Sequence, residues 1–282
     1  MPSPLPRFWQ DLAWTDFAAL PPDTVAVLPV AAVEQHGPHL PVSVDAAINA
    51  GLVARTLALL PADLPVLVLP MQSIGLSVEH VRFPGTLTHS AETLIAAWTE
   101  IGESVARAGG RKLVLFNSHG GQPQIVDIVC RRLRTNARML AVACKWSRLG
   151  RPADVVLSAE EAKHGIHGGL VETSMMLALH PGLVDMARAE NFRSAWVAQE
   201  NAFTTLVPEG AVGFGWETQD LNPAGALGDA SQATAAIGHS LLNHAAARFA
   251  QLLGEVHRLD LAAWLRDAPQ SAPTGSGTAR LL

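Results

Sequence analysis

The stretch Val30–Asp45, VAAVEQHGPHLPVSVD, decides how the rest of the chain is read. It places Glu34, His36, His39 and Asp45 within twelve residues. The apolar run VAVLPVAAV (25–33) leads into it, and the helix-spaced DAAINAGLVARTLALL (45–60) follows. The expected local structure is a buried strand, a polar loop and a helix, with Ser43 as N-cap and Asp45 in the first turn. Acidic and imidazole groups at a buried strand end lose hydration, so they need partners or a metal.

The same alternation continues downstream. PVLVLPM (65–71), KLVLF (112–116) and RMLAVAC (138–144) read as further strands. Helical spacing covers 91–107, about 123–134, about ten residues after Gly169, and a long Ala-rich stretch to about Leu253. A short helix is expected over Trp14–Leu20. Strands apolar on both faces, alternating with helices, imply a layered α/β/α fold with a mostly parallel central sheet. In such a sheet the strand ends share one edge, where ligands bind. The polar NSHGGQ (117–122), directly after KLVLF, therefore meets the Glu34 loop. A single domain is expected over 1–270, with 271–282 a Pro/Ser/Gly-rich tail. Residues 183–222 give no regular pattern.

Composition narrows the classes. The chain has 282 residues, 49% of them apolar and only 16% charged, with net charge −5. That suits a well-covered globular protein that associates with copies of itself, and it carries no nucleic-acid footprint. No apolar stretch reaches the roughly 18 residues of a membrane span. The N-terminal MPSPLPRFWQDLAW lacks a signal-peptide pattern, so a cytoplasmic location is expected. Cys130 and Cys144 lie in apolar patterns and are expected as reduced core residues.

Glu34 and His36, two apart on extended backbone, point the same way. Asp45 arrives from the next helix, His119 from a neighbouring strand end, and Glu172 from the late segment KHGIHGGLVETSMMLALHPG (163–182). Three carboxylates and two imidazoles suit two divalent ions about 3.5–4 Å apart, with Asp45 as the bridging carboxylate. Zn, Mn and Fe all accept this mixed donor set. Such a pair activates a shared water or hydroxide and polarises a carbonyl. His167, flanked by glycines, is the expected proton carrier to a leaving nitrogen, with Glu79 a second candidate. His39, His80, Asn117, Gly120, Gly121, Trp146 and Trp216 are placed around the ligands or substrate. His39 would hydrogen-bond a ligand carboxylate or simply occupy the loop. The chemistry indicated is hydrolysis of an amide, formamide or cyclic amide. Phosphoester cleavage is disfavoured because no Arg/Lys set clusters beside the ligands in the sequence. A non-catalytic metal-binding module would be expected to lack one or more ligands.

EQHGPHLPVSVD (34–45), GLSVEHVRFPGTLT (75–88), NSHGG (117–121), HGGLVETS (167–174) and the Gly228-Asp229 turn together resemble the creatininase family of metal-dependent amidohydrolases. The resemblance implies a layered α/β fold, a dinuclear site and a homohexamer built from dimers. It implies that Glu34 and His119 hold one metal, His36 the other, that Asp45 bridges, and that His167 lies beside a small-molecule amide substrate. One departure stands out. Creatininase proper is expected to carry a glutamate two residues after the histidine matching His119, where this chain has Gly121; Glu172 is the expected replacement ligand. Relatives in the family deformylate formamidopyrimidines or trim a peptide in mycofactocin maturation, so the resemblance leaves the substrate open.

Overall fold

The structure, a computed structural model, describes residues 6–210 and 212–266. The tail expected at 271–282 lies outside them. Four parallel strands, β1 (Val25–Val30), β2 (Val66–Val68), β3 (Lys112–Asn117) and β4 (Leu140–Lys145), form a sheet in the order β2-β1-β3-β4. Side chains alternate across it. Val25, Val27, Val114 and Phe116 face one layer, made of α1 (Val44–Leu59), the later helix Leu170–Leu179 and the long helix Ala235–Arg258. Ala26, Leu28, Val30, Leu113 and Leu115 face the other, made of α2 (Ala91–Arg107) and α3 (Pro123–Asn136). The fold is thus the expected α/β/α sandwich, and covering both faces explains why these strands read as unbroken apolar runs. Phe116 stacks on Phe249 at 4.0 Å between ring centres, tying the sheet to the long helix.

Several boundaries differ from expectation. β2 covers three residues rather than 65–71. Pro29 has no N–H to offer β2, so the regular ladder stops at Val27–Val68. Contact resumes only where Gln72 N–H donates to Pro29 O and Ala31 N–H to Gln72 O, both 2.9 Å. Trp14–Leu20 reduces to a 3-10 turn at Asp16–Ala19, too short to nucleate an α-helix. Ser43 stands at the N-cap of α1 but makes no side-chain cap bond. The long helix runs five residues past Leu253 to Arg258, capped at its start by Thr234.

Four further short or late elements complete the frame: α4 (Ala159–His164), α5 (Leu170–Leu179), α6 (Thr218–Leu221) and α7 (Ala235–Arg258). Gly238 lets α7 lie against α5, since a Cβ there would fall 1.9 Å from Ser174 O. The two-residue strands β5 (Asn191–Phe192) and β6 (Gly228–Asp229) pair antiparallel and pin the Gly-Asp turn. Residues 183–210 and 212–222 otherwise form 3-10 turns and loops. No described helix is long and apolar enough to cross a membrane. Cys130 and Cys144 are buried and unpaired, and burial pushes both thiols up to about 12.

Candidate metal centre

β1 and β3 are neighbours, and Val30 pairs with Asn117. The Glu34 loop and the His119 turn therefore leave the sheet side by side. Asn49, on the buried stripe of α1 one turn after Asp45, ties them together. Its Nδ2 donates to Val30 O (3.2 Å), Phe116 O (3.0 Å) and Ser118 Oγ (3.1 Å). Ser118 Oγ in turn donates to Asp45 O at 2.9 Å. The second turn is built by Asn117: its Oδ1 accepts from His119 N–H (2.9 Å) and its Nδ2 donates to His119 O (2.9 Å). Gln122 Nε2 crosses to Asn117 Oδ1 (3.0 Å) and Ala31 O (3.2 Å). Asn49→Ala removes the buried amide that bridges both strand ends, while Val30 O keeps Ser118 N–H at 3.1 Å. The expected cost is about 1–3 kcal/mol, read as a lower urea midpoint with unchanged slope; an unshifted midpoint would show the bridge to be dispensable.

All seven expected ligands and proton carriers converge. One oxygen, Glu34 Oε1, lies 3.2 Å from His119 Nδ1, 3.4 Å from His80 Nε2, 3.7 Å from His167 Nδ1 and 4.0 Å from His36 Nε2. Asp45 reaches His119 Nδ1 (3.2 Å) and His36 Nε2 (3.9 Å). Glu172, in the first turn of α5, comes within 3.8 Å of His36 Nε2 and accepts from Gly168 N–H at 2.7 Å. Glu79 Oε1 is 3.7 Å from His119 Nε2. The rings of His36, His167 and His80 stack at 4.1 Å spacings, with His167 in the middle.

Backbone carbonyls fix the direction of these rings. His36 Nδ1 is 3.0 Å from Glu34 O, His119 Nε2 is 2.6 Å from Leu76 O, and His167 Nε2 is 2.7 Å from Gln35 O. A carbonyl only accepts, so each of these nitrogens carries hydrogen. In the neutral ring the other nitrogen then presents a lone pair to the carboxylates. Lone pairs facing lone pairs repel unless a proton or a metal cation lies between them. His36 Nε2 and Glu34 Oε2 are moreover buried without any hydrogen-bond partner. Three donor sets, Glu34–His80–His167, His36–His167–Glu172 and Glu34–Asp45–His119, each have their ligand atoms within 4.8 Å of one another. The residues present therefore fit divalent ions with mixed oxygen and nitrogen donors.

The protonation behaviour agrees with mutual compensation. Burial alone would raise Glu34, but His119, His80 and His167 hold it well below the usual carboxylate range. Burial opposes charge on His119, yet Glu34 and Asp45 lift it well above an ordinary histidine. Burial raises Asp45, Glu79 and Glu172. Burial, with His36 and His80 close by, drives His167 well down. Burial also brings His80 to about 4.

The remaining expected residues divide. His80, placed outside the ligands by sequence, approaches Glu34 nearly as closely as His119 does. Its Nδ1 is held by Gln35 Nε2 (2.8 Å) and Thr218 Oγ1 (2.7 Å), which turns Nε2 toward Glu34. His39 does not reach a ligand carboxylate: its Nε2 pairs with Thr173 Oγ1 at 2.9 Å and its ring lies on Phe192. The loop doubles back at Gly37 (φ +77°), which carries His39 under α5 instead. Trp146 and Gly120 line a cleft of about 520 Å³ that reaches Ser118 and Glu172. Trp216 is not among the residues lining that cleft; its Nε1 donates to Pro208 O at 3.1 Å. Gly121 lies under Glu79, where a Cβ would fall 2.1 Å from Oε1.

Sequence reasoning missed Gln35, Asn49, Gln122, Thr218 and Glu161. The last is buried and accepts from Leu170 N–H (2.9 Å) and Asp229 N–H (2.7 Å), joining the start of α5 to the Gly-Asp turn. Asn49 had a signal, a polar residue four after Asp45 on an apolar helix face. Gln35 also had one, lying between two candidate ligands.

An α/β/α sheet with a buried carboxylate–imidazole cluster at its strand ends is a candidate metal centre. Comparison with known proteins sharpens this. The family model for creatininase, described as creatinine amidohydrolase, matches residues 10–253. Creatinine amidohydrolase of Pseudomonas putida is 32% identical over 198 residues, covering 64% of this chain and 75% of its own. A mycofactocin precursor peptide peptidase of Mycobacterium tuberculosis (strain ATCC 25618 / H37Rv) is 34% identical over 222 residues, covering 76% and 78%. Among solved structures, a manganese form of creatininase superposes with a TM-score of 0.68 at 26% identity, covering 89% of this chain and 99% of its own. A mutant creatininase of the Zn-Zn type gives 0.70 at 27%, covering 89% and 98%. This chain belongs to the creatininase family of hydrolases.

Proposed function

We propose that this chain is a dinuclear metal-dependent amidohydrolase acting on a non-peptide or cyclic amide carbon–nitrogen bond. The observation that carries this is the convergence of His36, His119 and His167 ring nitrogens on Glu34 and Asp45, with the opposite ring nitrogens held by backbone carbonyls. Glu34, His36, Asp45, His119 and Glu172 would hold the two ions, Zn, Mn or Fe, with Asp45 between them. When bound, such ions lower the pKa of water toward neutrality and polarise an amide carbonyl. His167, stacked between His36 and His80, would take a proton and pass it to the leaving nitrogen. Glu79, raised by burial and reached through the 3-10 turn Val78–His80, is the second proton carrier. The cleft beside Trp146 and Gly120 admits a small-molecule amide.

The similarity to a precursor peptide peptidase supports a second reading, cleavage of a peptide bond by the same groups. A formamidopyrimidine is a third substrate class that this chemistry serves. A cytoplasmic homohexamer remains the reading for location and assembly. The test is metal analysis of the purified protein, followed by a screen over creatinine, formamidopyrimidines, short peptides and small lactams. Release of amine, ammonia or formate from one class assigns the substrate. A fully metal-loaded protein that opens none of them would refute the proposal.

A further inference from the structure

The cleft that opens onto Glu172 has one basic wall. Lys145 ends β4, directly across from Asn117, and its Nζ lies 3.7 Å from where a Cβ on Gly120 would stand. Arg148 closes the 3-10 turn Trp146–Arg148, and Arg151 follows the turn at Gly150 (φ +91°). All three line the same cleft of about 520 Å³. Spaced three apart in KWSRLGR, they come to the cleft mouth because β4 delivers the chain there and the turn carries it across.

Their lack of partners contrasts with several other cations of the chain. Arg82, Arg131, Arg188 and Arg193 each pair with a carboxylate, at 3.3, 2.8, 3.2 and 2.8 Å. Among the described residues, the side chains of Lys145, Arg148 and Arg151 make no hydrogen bond or ion pair. Three free cations on one wall, against Glu172 and Glu209 elsewhere in the lining, leave the cleft with an excess of formal positive charge in a chain of net charge −5. A neutral creatinine-sized ring has no use for them. Guanidinium groups bind carboxylate and phosphate through paired N–H bonds, and an ammonium supplies a point charge to the same groups.

We infer that the substrate carries an anionic group, a carboxylate or a phosphate, seated on Lys145, Arg148 and Arg151 while its amide lies over the carboxylate–imidazole cluster. This deepens the hydrolase reading and rests on it for the position of the amide. Lys145, nearest the His119 turn, would take the inner oxygen; Arg148 and Arg151, more exposed, would take the outer ones.

Calorimetric titration of the metal-loaded protein with succinate, its neutral diamide and inorganic phosphate tests this without any turnover. Succinate or phosphate should bind at least about tenfold more tightly than the diamide, and Arg148→Gln, Arg151→Gln or Lys145→Met should each weaken the anion about tenfold. Weakening of binding with added salt is expected too. Lys145→Arg, which keeps the charge at a half-buried position, should retain most of the affinity. Sensitivity confined to succinate assigns a carboxylate, and sensitivity confined to phosphate assigns a phosphate. Equal binding of anions and diamide would overturn the inference. So would anion binding unchanged by all three substitutions, since the anion would then sit on the metals alone. A chain that binds succinate through these side chains yet hydrolyses no amide would instead overturn the functional reading and leave the anion site standing.

Discussion

His119→Ala should lose bound metal and hydrolysis together. His119 Nδ1 is within 3.2 Å of both Glu34 and Asp45, while its Nε2–H is committed to Leu76 O. Removing the ring takes away a lone pair and leaves two buried carboxylates facing each other. Outer partners of metal ligands cost about 10–100-fold when mutated, so about 100-fold is a floor for a ligand. Metal content by plasma emission and amide turnover are measured on the same sample. His167→Ala is the contrast: metal should be retained and turnover should fall about 10²–10⁴-fold, the range for a general acid–base group. The contrast is informative because His167 Nδ1 also comes within 3.7 Å of Glu34. If His167→Ala loses metal as His119→Ala does, His167 is a ligand and the proton carrier must be sought at Glu79. If His119→Ala keeps both metal and parental turnover, the centre is assigned wrongly.

The second large effect is expected at Gly121. A Cβ there would stand 2.1 Å from Glu79 Oε1 and 2.7 Å from His119 Nε2. The Glu79 carboxylate can swing away at little cost, but the His119 ring is anchored at Leu76 O and cannot. Gly121→Ala should therefore expel Glu79 from the site and lower turnover by about 10²-fold, the smaller end of losing a proton carrier. A double-mutant cycle separates this from simple damage. If the loss runs through Glu79, Gly121→Ala combined with Glu79→Ala is no worse than Glu79→Ala alone. Additive losses would place the effect at His119 instead. This geometry also bears on the family comparison. Where creatininase proper is expected to place a glutamate, this chain has space filled from the side by Glu79.

The three-layer frame was legible because strands buried on two faces must be apolar throughout, and helices that cover them must show 3.6-residue spacing. Expectation failed where one residue's hydrogen bonding mattered more than pattern. Pro29 cut β2 short, and Trp14–Leu20 was too brief to hold an α-helix. Residues 183–222 gave no pattern because turns in them are held by partners remote in sequence, such as Arg193 on Glu160 and Thr218 on Glu79 O.

Within the cluster, the candidate ligands could be read locally, since Glu34, His36 and Asp45 lie on one strand-to-helix passage and His119 follows the adjacent buried strand. The sequence by itself determined the donor chemistry and the sheet edge on which it gathers, because acids and imidazoles directly after apolar strands have little other use. Only the tertiary structure decided which nitrogen each ring turns inward. That choice is made by carbonyls of Glu34, Leu76 and Gln35 and by Gln35 and Thr218 at His80. Tertiary structure also decided that Lys145, Arg148 and Arg151, unremarkable in KWSRLGR, share a cleft with Glu172. A hydrogen bond and a cleft wall depend on which segments fold back on one another, and residue order does not record that.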